Sequence, residues 1–270
     1  MDAKFERLNR ILSEHDALLV AFSAGVDSTF LLKAAHLALG EGVTALTASS
    51  STAPPGELDE AKKFAASLGC RHIVPESHEL ANPSFAKNPV NRCFFCKDEL
   101  YRICRDEADK LGIQTIVDGT NLDDLHDHRP GLKAANEWGV RHPLVEAEMT
   151  KEDIRRYSRE LDLPTWDKPS SPCLSSRFPY GTEINLEKLQ KVGACEVFMK
   201  ELRFREFRVR YHGDLARIEV AQSEIDRLFD KAIREAIVKK FKEVGFNYVS
   251  LDLQGFRSGS LNEALQKKAG

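Results

Sequence analysis

Residues 18–40 read LLVAFSAGVDSTFLLKAAHLALG. An apolar block runs into SAGVDS and then into a helical pattern closed by glycine. Small and hydroxyl residues at the mouth of a helix, directly after a buried strand, suit an anion. The helix N-terminus offers free N–H groups and the positive end of its dipole. Ser23, Ser28 and Thr29 add hydroxyl donors, and Gly25 permits a tight turn and a close approach of backbone to ligand. Asp27 is out of place beside an anion unless it holds Mg²⁺. The loop lacks the GxxxxGK[ST] pattern, so it is not a Walker loop. The alternative is a Ser or Asp cap on an ordinary core helix.

Outward from this loop, apolar blocks alternate with helical patterns. ALLVAF, VTALTAS, RHIVPE and QTIVDGT read as strands; DSTFLLKAAHLAL, GELDEAKKFAASLG and CKDELYRICRDEADKLG read as helices. Strands separated by helices imply parallel pairing, and strands apolar throughout imply helices on both faces. The expected fold is α/β, a doubly wound parallel sheet over residues 1–170, with ligands beyond the carboxyl ends of the strands. AFSAGVDS, TASSS with Ser49, and DGTNLDD with Gly119, Thr120 and Asn121 then line one rim. Arg129 and Lys133 in DHRPGLKA stand available for phosphates. Taken singly, DGTNLDD is also an ordinary Asx turn, and the two cations are also ordinary solvated charge.

WDKPSSPCLSSRFPYGTE is rich in Ser and Pro, and residues 171–184 read as a cysteine-bearing linker. Residues 185–270 read as a smaller α+β domain. It begins with a helix, NLEKLQKVGACEVFMKELRF, followed by a hairpin about H-G-D in EFRVRYHGDLARIEVA. A single helix, SEIDRLFDKAIREAIVKKFKEVG, and a last strand, YVSLDL, complete it. Alternation places Arg208 and Arg210 on one strand face, with Phe207 and Val209 on the other. Two such arginines suit a substrate phosphate or carboxylate; the alternative is an exposed charged sheet face.

The 270 residues are 42% hydrophobic and 30% charged, with a formal net charge of -3. That is core enough to fold without metal or disulfide, and the charge argues against a nucleic-acid-binding surface. No apolar run approaches the ~20 residues of a membrane helix, and the charged N-terminal residues lack a signal-peptide core. A cytoplasmic protein is expected, its six cysteines being thiols or metal ligands. Cys93 and Cys96 form C-x2-C at the start of a helix, and Cys173 lies in SSPCLSSRFPYG. This pattern is open to a redox dithiol, to a zinc site completed by other ligands and to an iron–sulfur cluster on three thiolates. Buried core thiols are the remaining alternative. For Cys70, Cys104 and Cys195 the core is the expectation.

SAGVDS resembles the SGGxDS PP-loop of the ATP pyrophosphatases, which cut ATP between the α- and β-phosphates and adenylate a substrate. The resemblance implies that Ser23, Gly25, Asp27 and Ser28 bind pyrophosphate. Ala24 replaces the motif's first glycine, and a methyl there calls for a negative φ. CLSSRFPYGTEI, DHRPGLKAANEWGVRHPL and FRVRYHGDLARIE narrow the likeness. They resemble the ATP-dependent sacrificial sulfur transferases of the LarE family, over nearly the whole chain. Family members build the thiocarboxylates of the nickel-pincer nucleotide, the cofactor of lactate racemase.

The resemblance implies an enzyme that uses ATP and Mg²⁺ on a small nucleotide, pyridinium-3,5-biscarboxylic acid mononucleotide, and that forms a homo-oligomer. One family variant gives up the sulfur of a single cysteine. The other holds a [4Fe-4S] cluster on three cysteines and can transfer a cluster-bound sulfide. Cys93, Cys96 and Cys173 place this chain with the second, which makes a sulfide or other sulfur donor a partner. By resemblance, Ser176, Arg177, Glu196, Arg208, Arg210 and Glu219 lie near the sulfur-transfer site. The rivals are a PP-loop tRNA thiolase, which wants a basic face for RNA, and a non-catalytic nucleotide-binding iron–sulfur carrier, which needs no Mg²⁺ site.

Overall fold

The computed structural model describes residues 2–126, 130–257 and 259–263. The chain forms two compact units. One comprises the residues up to Phe85 together with Asn91–Ser171, and the other Ala86–Val90 together with the residues from Pro172 onward.

The first unit holds α1 (Ala3–Ser13), β1 (Leu18–Ala21), α2 (Val26–Leu39), β2 (Val43–Leu46), α3 (Glu57–Ser67) and β3 (Arg71–Ile73). A single turn, α4 (Pro83–Ala86), leads out of it. It resumes with α5 (Arg92–Lys110), β4 (Thr115–Asp118), α6 (Pro130–Glu137), the short α7 (Pro143–Glu146) and α8 (Lys151–Glu160). The four strands pair in parallel in the order β3-β2-β1-β4. Leu18 lies opposite both Val43 and Thr115.

Alternation along β1 shows why the sheet needs helices on both sides. Leu18 and Val20 enter one core with Phe5 and Leu8 of α1, Phe30 of α2 and Ile154 of α8. Leu19 and Ala21 enter another with Tyr101 and Cys104 of α5 and Ala134 of α6. Leu18, Leu19 and Val20 are fully buried, and trimming such a leucine to alanine costs about 2–5 kcal/mol. This is the doubly wound sheet that the apolar strands predict. The chain steps outward from β1 to β3, then returns to β4 on the other side of β1. The crevice beyond the ends of β1 and β4 is therefore the topological switch point, where such sheets take their ligands.

The second unit holds α9 (Leu186–Glu201), β5 (Phe207–His212), β6 (Leu215–Val220), α10 (Lys231–Val244) and β7 (Tyr248–Leu251). β5 and β6 form the expected hairpin. His212 faces Leu215, and Gly213, at φ +65°, turns the corner. β7 adds to β6 in parallel. The single helix expected after the hairpin is two elements. A 3₁₀ segment, Gln222–Phe229, ends at Asp230, whose carboxylate accepts from Ile233 N–H at 3.0 Å and caps α10. An Asp side chain that can cap a new helix competes with continuing the old one.

Residues 86–90 belong to this unit through backbone bonds. Gly181 N–H donates to Asn88 O, and Ile184 N–H to Ala86 O, each at 2.8 Å. Among the described residues no helix is long and apolar enough to cross a membrane.

Candidate functional site

Phe22 N–H still donates to Leu46 O at 2.8 Å, and the chain then leaves the sheet. Gly25 is the N-cap of α2, at φ -79°, and no side chain caps the helix. Its first-turn N–H groups therefore face the crevice without a side-chain acceptor. The turn is made at Ala24, with φ +54° and 2% exposure. The expected negative φ at Ala24 is thus corrected. The alanine occupies the left-handed region, at a cost of roughly 1–2 kcal/mol for an L-residue, while Gly25 has ordinary backbone. The Ser28 hydroxyl accepts from Ser23 N–H at 3.3 Å and lies 3.1 Å from Ser23 Oγ.

Asp27 sits in the first turn of α2. Its carboxylate accepts from the Lys151 ammonium at the start of α8 and from the Asn121 side-chain amide at 3.4 Å. Lys151 escaped the sequence reading, because its partner lies on a distant helix and no local pattern links them. Lys168 escaped it too. Its Nζ donates to Ala24 O at 3.0 Å and to the Glu60 carboxylate at 2.7 Å.

Gly119 follows β4. A Cβ there would meet Ser28 N at 2.8 Å and Asp27 C at 3.1 Å, so strand end and helix start touch backbone to backbone. Thr120 N–H donates to Asp118 at 3.0 Å. Asn121 is buried and accepts from Asp123 N–H at 3.0 Å. Beneath this rim, Asp118 accepts from the Tyr101 hydroxyl at 2.5 Å and lies 2.7 Å from His142 Nδ1. Burial pushes the Asp118 carboxyl up, but His142, Lys97 and Tyr101 outweigh it and hold the group well below the usual carboxylate range. Burial likewise opposes charge on Lys97, yet Tyr101, Asp118 and Cys96 outweigh it and raise its pKa.

Ser49 continues β2. Its N–H donates to Pro75 O at 2.7 Å, and its carbonyl accepts from Ser77 N–H at 3.0 Å. Next to it, the hydroxyls of Ser50, Thr52 and Ser77 donate to the buried Glu79 carboxylate. Arg129 lies outside the described residues. Lys133 is exposed, 3.7 Å from Glu137.

Cys93 is exposed and Cys96 half-buried, one turn apart in the first two turns of α5, so both side chains share a face. Cys70, Cys104 and Cys195 are buried as expected. Burial pushes the thiols of Cys104 and Cys195 up to about 12, which leaves them inert as nucleophiles or ligands at neutral pH. Among the described residues no three His, Cys, Asp or Glu side chains gather into a metal-binding group. Cys93 and Cys96 fit a cluster as two thiolate donors on one helical face.

In the second unit, Cys173 precedes a 3₁₀ turn, Leu174–Arg177. Arg177 is 2% exposed and forms two bonds with Glu196 of α9, at 2.7 and 2.9 Å. Its Nη1 donates to the carbonyls of Pro172 at 2.9 Å and Cys173 at 3.3 Å, and to Ser176 Oγ at 2.7 Å. Glu196 also accepts from Val209 N–H at 3.0 Å. Arg210 pairs with Glu219 at 3.0 and 2.8 Å and donates to Ser176 O at 2.8 Å.

Arg208 and Arg210 are buried rather than on an exposed charged face. Burial and the neighbouring guanidiniums of Arg177 and Arg210 push Arg208 down to about 10. Of the six residues assigned by resemblance, five are buried and Ser176 is half-buried. Arg208 donates to Phe207 O at 2.6 Å. The Arg177–Glu196 and Arg210–Glu219 pairs meet at Ser176 and form a lattice. Two of its arginines are already gripped by glutamates, and the lattice fixes the backbone of the Cys173 turn.

No family model matches the chain. It is 44% identical over 99% of its length to the uncharacterized protein slr1717 of Synechocystis, all of which is covered. It is 37% identical over 95% of its length to the pyridinium-3,5-bisthiocarboxylic acid mononucleotide synthase of Lactiplantibacillus plantarum, covering 92% of that protein. The chain belongs to this LarE family. A fainter likeness, 24% over 74% of the chain, runs to the glutamine-hydrolysing GMP synthase of Clostridium perfringens, of which 42% is covered. That likeness fits the PP-loop α/β fold.

Within this LarE-family chain, the fold brings Ser23, Gly25, Asp27, Ser28, Gly119, Thr120 and Asn121 to the switch point, with Ser49 at the neighbouring strand end. The buried Glu–Arg lattice lies in the second unit.

Proposed function

We propose that the protein is an ATP-dependent sulfurtransferase that converts a carboxylate of pyridinium-3,5-biscarboxylic acid mononucleotide to a thiocarboxylate, for nickel-pincer cofactor synthesis. The observation that carries this is near full-length kinship with the named synthase. The uncapped start of α2 at the switch point supports a nucleotide site there.

In the proposed reaction, a substrate carboxylate oxygen attacks the α-phosphorus of ATP. The bond from that phosphorus to the bridging oxygen breaks, and pyrophosphate leaves with the electron pair. The N–H groups of α2 and the hydroxyls of Ser23 and Ser28 receive it. Asp27 is the residue to hold Mg²⁺, since its carboxylate stands at the loop and Lys151 now balances it. A sulfur nucleophile then attacks the acyl carbon, the bond to AMP breaks, and AMP leaves with that pair. Adenylation is needed because a bare carboxylate is a poor electrophile.

Cys93, Cys96 and Cys173 are proposed as the ligands of a [4Fe-4S] cluster, which would supply sulfide at an open iron. An external sulfur donor, a homo-oligomer and a cytoplasmic setting belong to the same proposal.

The test is anaerobic turnover with Mg·ATP and the biscarboxylic mononucleotide. AMP, pyrophosphate and a thiocarboxylate seen by mass are the expected products. ADP in place of AMP sinks the scheme, and stimulation by added tRNA favours an RNA thiolase. Iron and sulfide content after reconstitution of wild type and Cys173→Ala tests the ligand set separately. A colourless wild type that still thiolates once moves the sulfur to a sacrificed cysteine.

A further inference from the structure

The SAGVDS loop carries a carboxylate and no cation of its own, and Lys151 is taken up by Asp27. A pyrophosphate leaving group brings several negative charges to this place. Lys168 stands beside it. Its backbone is fixed, since its N–H donates to Thr165 O at 3.0 Å and its carbonyl accepts from Arg155 at 2.9 Å. Arg155 also holds Trp166 O at 2.6 Å. From this stem the side chain, 20% exposed, lies back onto the loop, where Nζ meets Ala24 O at 3.0 Å. Its other bond goes to Glu60 on α3, a carboxylate 44% exposed. An ammonium has three N–H donors, and these two bonds use two of them.

We propose that Lys168 is a binding residue for the anion held by the loop. Glu60 holds its ammonium when the loop is empty, and a phosphate oxygen takes Glu60's place when nucleotide or pyrophosphate enters. This rests on the loop being the pyrophosphate site. The Glu60 pair is partly solvated, and such pairs are weak and screened. A phosphate oxygen seated on backbone N–H groups is a stronger, charge-assisted partner for the same donor.

The experiment is calorimetric titration of Mg·pyrophosphate into wild type, Lys168→Met, Lys168→Arg and Glu60→Gln, each first checked for a wild-type melting temperature. Lys168→Met is expected to weaken binding about tenfold or more, and Lys168→Arg to recover part of the loss. Glu60→Gln, which removes the competing carboxylate, is expected to tighten binding severalfold. A merely structural tether predicts the opposite for Glu60→Gln, since both neutralising changes break the same ion pair. Equal affinity in wild type and Lys168→Met, or weaker binding by Glu60→Gln, overturns the inference while leaving the loop assignment standing. A wild type that takes neither Mg·pyrophosphate nor Mg·ATP overturns the loop assignment and this inference with it.

Discussion

Replacing Gly119 by alanine places a methyl carbon 2.8 Å from Ser28 N, 3.1 Å from Ser28 Cα and 3.1 Å from Asp27 C. All three are backbone atoms of the first turn of α2, so no side chain can swing aside. Ordinary contact begins near 3.4 Å. The strand end or the helix start must therefore give by about half an ångström, and forcing an extra methyl into packed structure costs about 1–3 kcal/mol. The group that moves is the N–H cradle itself, so the cost falls on anion binding as well as on folding. At 1.4 kcal/mol per tenfold, Mg·ATP affinity should drop roughly 5- to 100-fold.

Gly25→Ala is the control. Its Cβ meets only Ser23 Oγ, at 3.4 Å, and its φ is -79°. The loss there is the poorer N-cap preference of alanine, under about 1 kcal/mol. Equilibrium binding of Mg·ATP by calorimetry, with melting temperatures on the same preparations, reads both effects. Wild-type affinity in Gly119→Ala, or a larger loss in Gly25→Ala, would refute the reasoning.

Arg177→Met should lower stability by about 3–5 kcal/mol, because it strands a buried glutamate and frees the carbonyls of Pro172 and Cys173; a urea-midpoint change worth under about 1 kcal/mol speaks against the lattice. Native alkylation with iodoacetamide should label Cys93, Cys96 and Cys173 and spare Cys70, Cys104 and Cys195; early labelling of Cys195, read by peptide mass, contradicts its burial. The folded-state pKa of Asp118 lies below its unfolded value near 3.9. Its contribution is therefore full above that value and is lost as pH falls toward the folded one. The melting temperature should sag below about pH 4 in wild type and less steeply in Asp118→Asn; parallel acid limbs in the two proteins would count against the assignment.

β1 was legible because LLVA is apolar on both sides of the pleat, and only a sheet covered on both faces buries such a strand. The strand-to-helix junction after it was legible because small and hydroxyl residues interrupt the apolar run before the helical pattern begins. Ala24 was misread. An alanine's own preference is for negative φ, and the surrounding frame overrides it. Lys151, Lys168 and Glu79 left no local trace, since their partners are brought near only by the finished sheet. The break at Asp230 was hidden inside an unbroken helical pattern. The arginine pattern FRVR gave the shared face of Arg208 and Arg210 but not their burial. Alternation says which face a side chain takes, and it does not say that Glu196 and Glu219 wait there to grip Arg177 and Arg210.

The insertion of residues 86–90 into the second unit bears on how this gene can be divided. A split at the Ser171–Pro172 bond would give a downstream fragment without Asn88. That side chain holds Pro179 O at 2.8 Å, and Asn88 O accepts from Gly181 N–H. The upstream fragment would carry the missing piece as a stranded loop. Neither half is then a transplantable module, and recombination at that bond yields two incomplete folds. Split-gene complementation is the arrangement in which such halves could still meet, with the 86–90 segment offered in trans to the turn that follows Cys173.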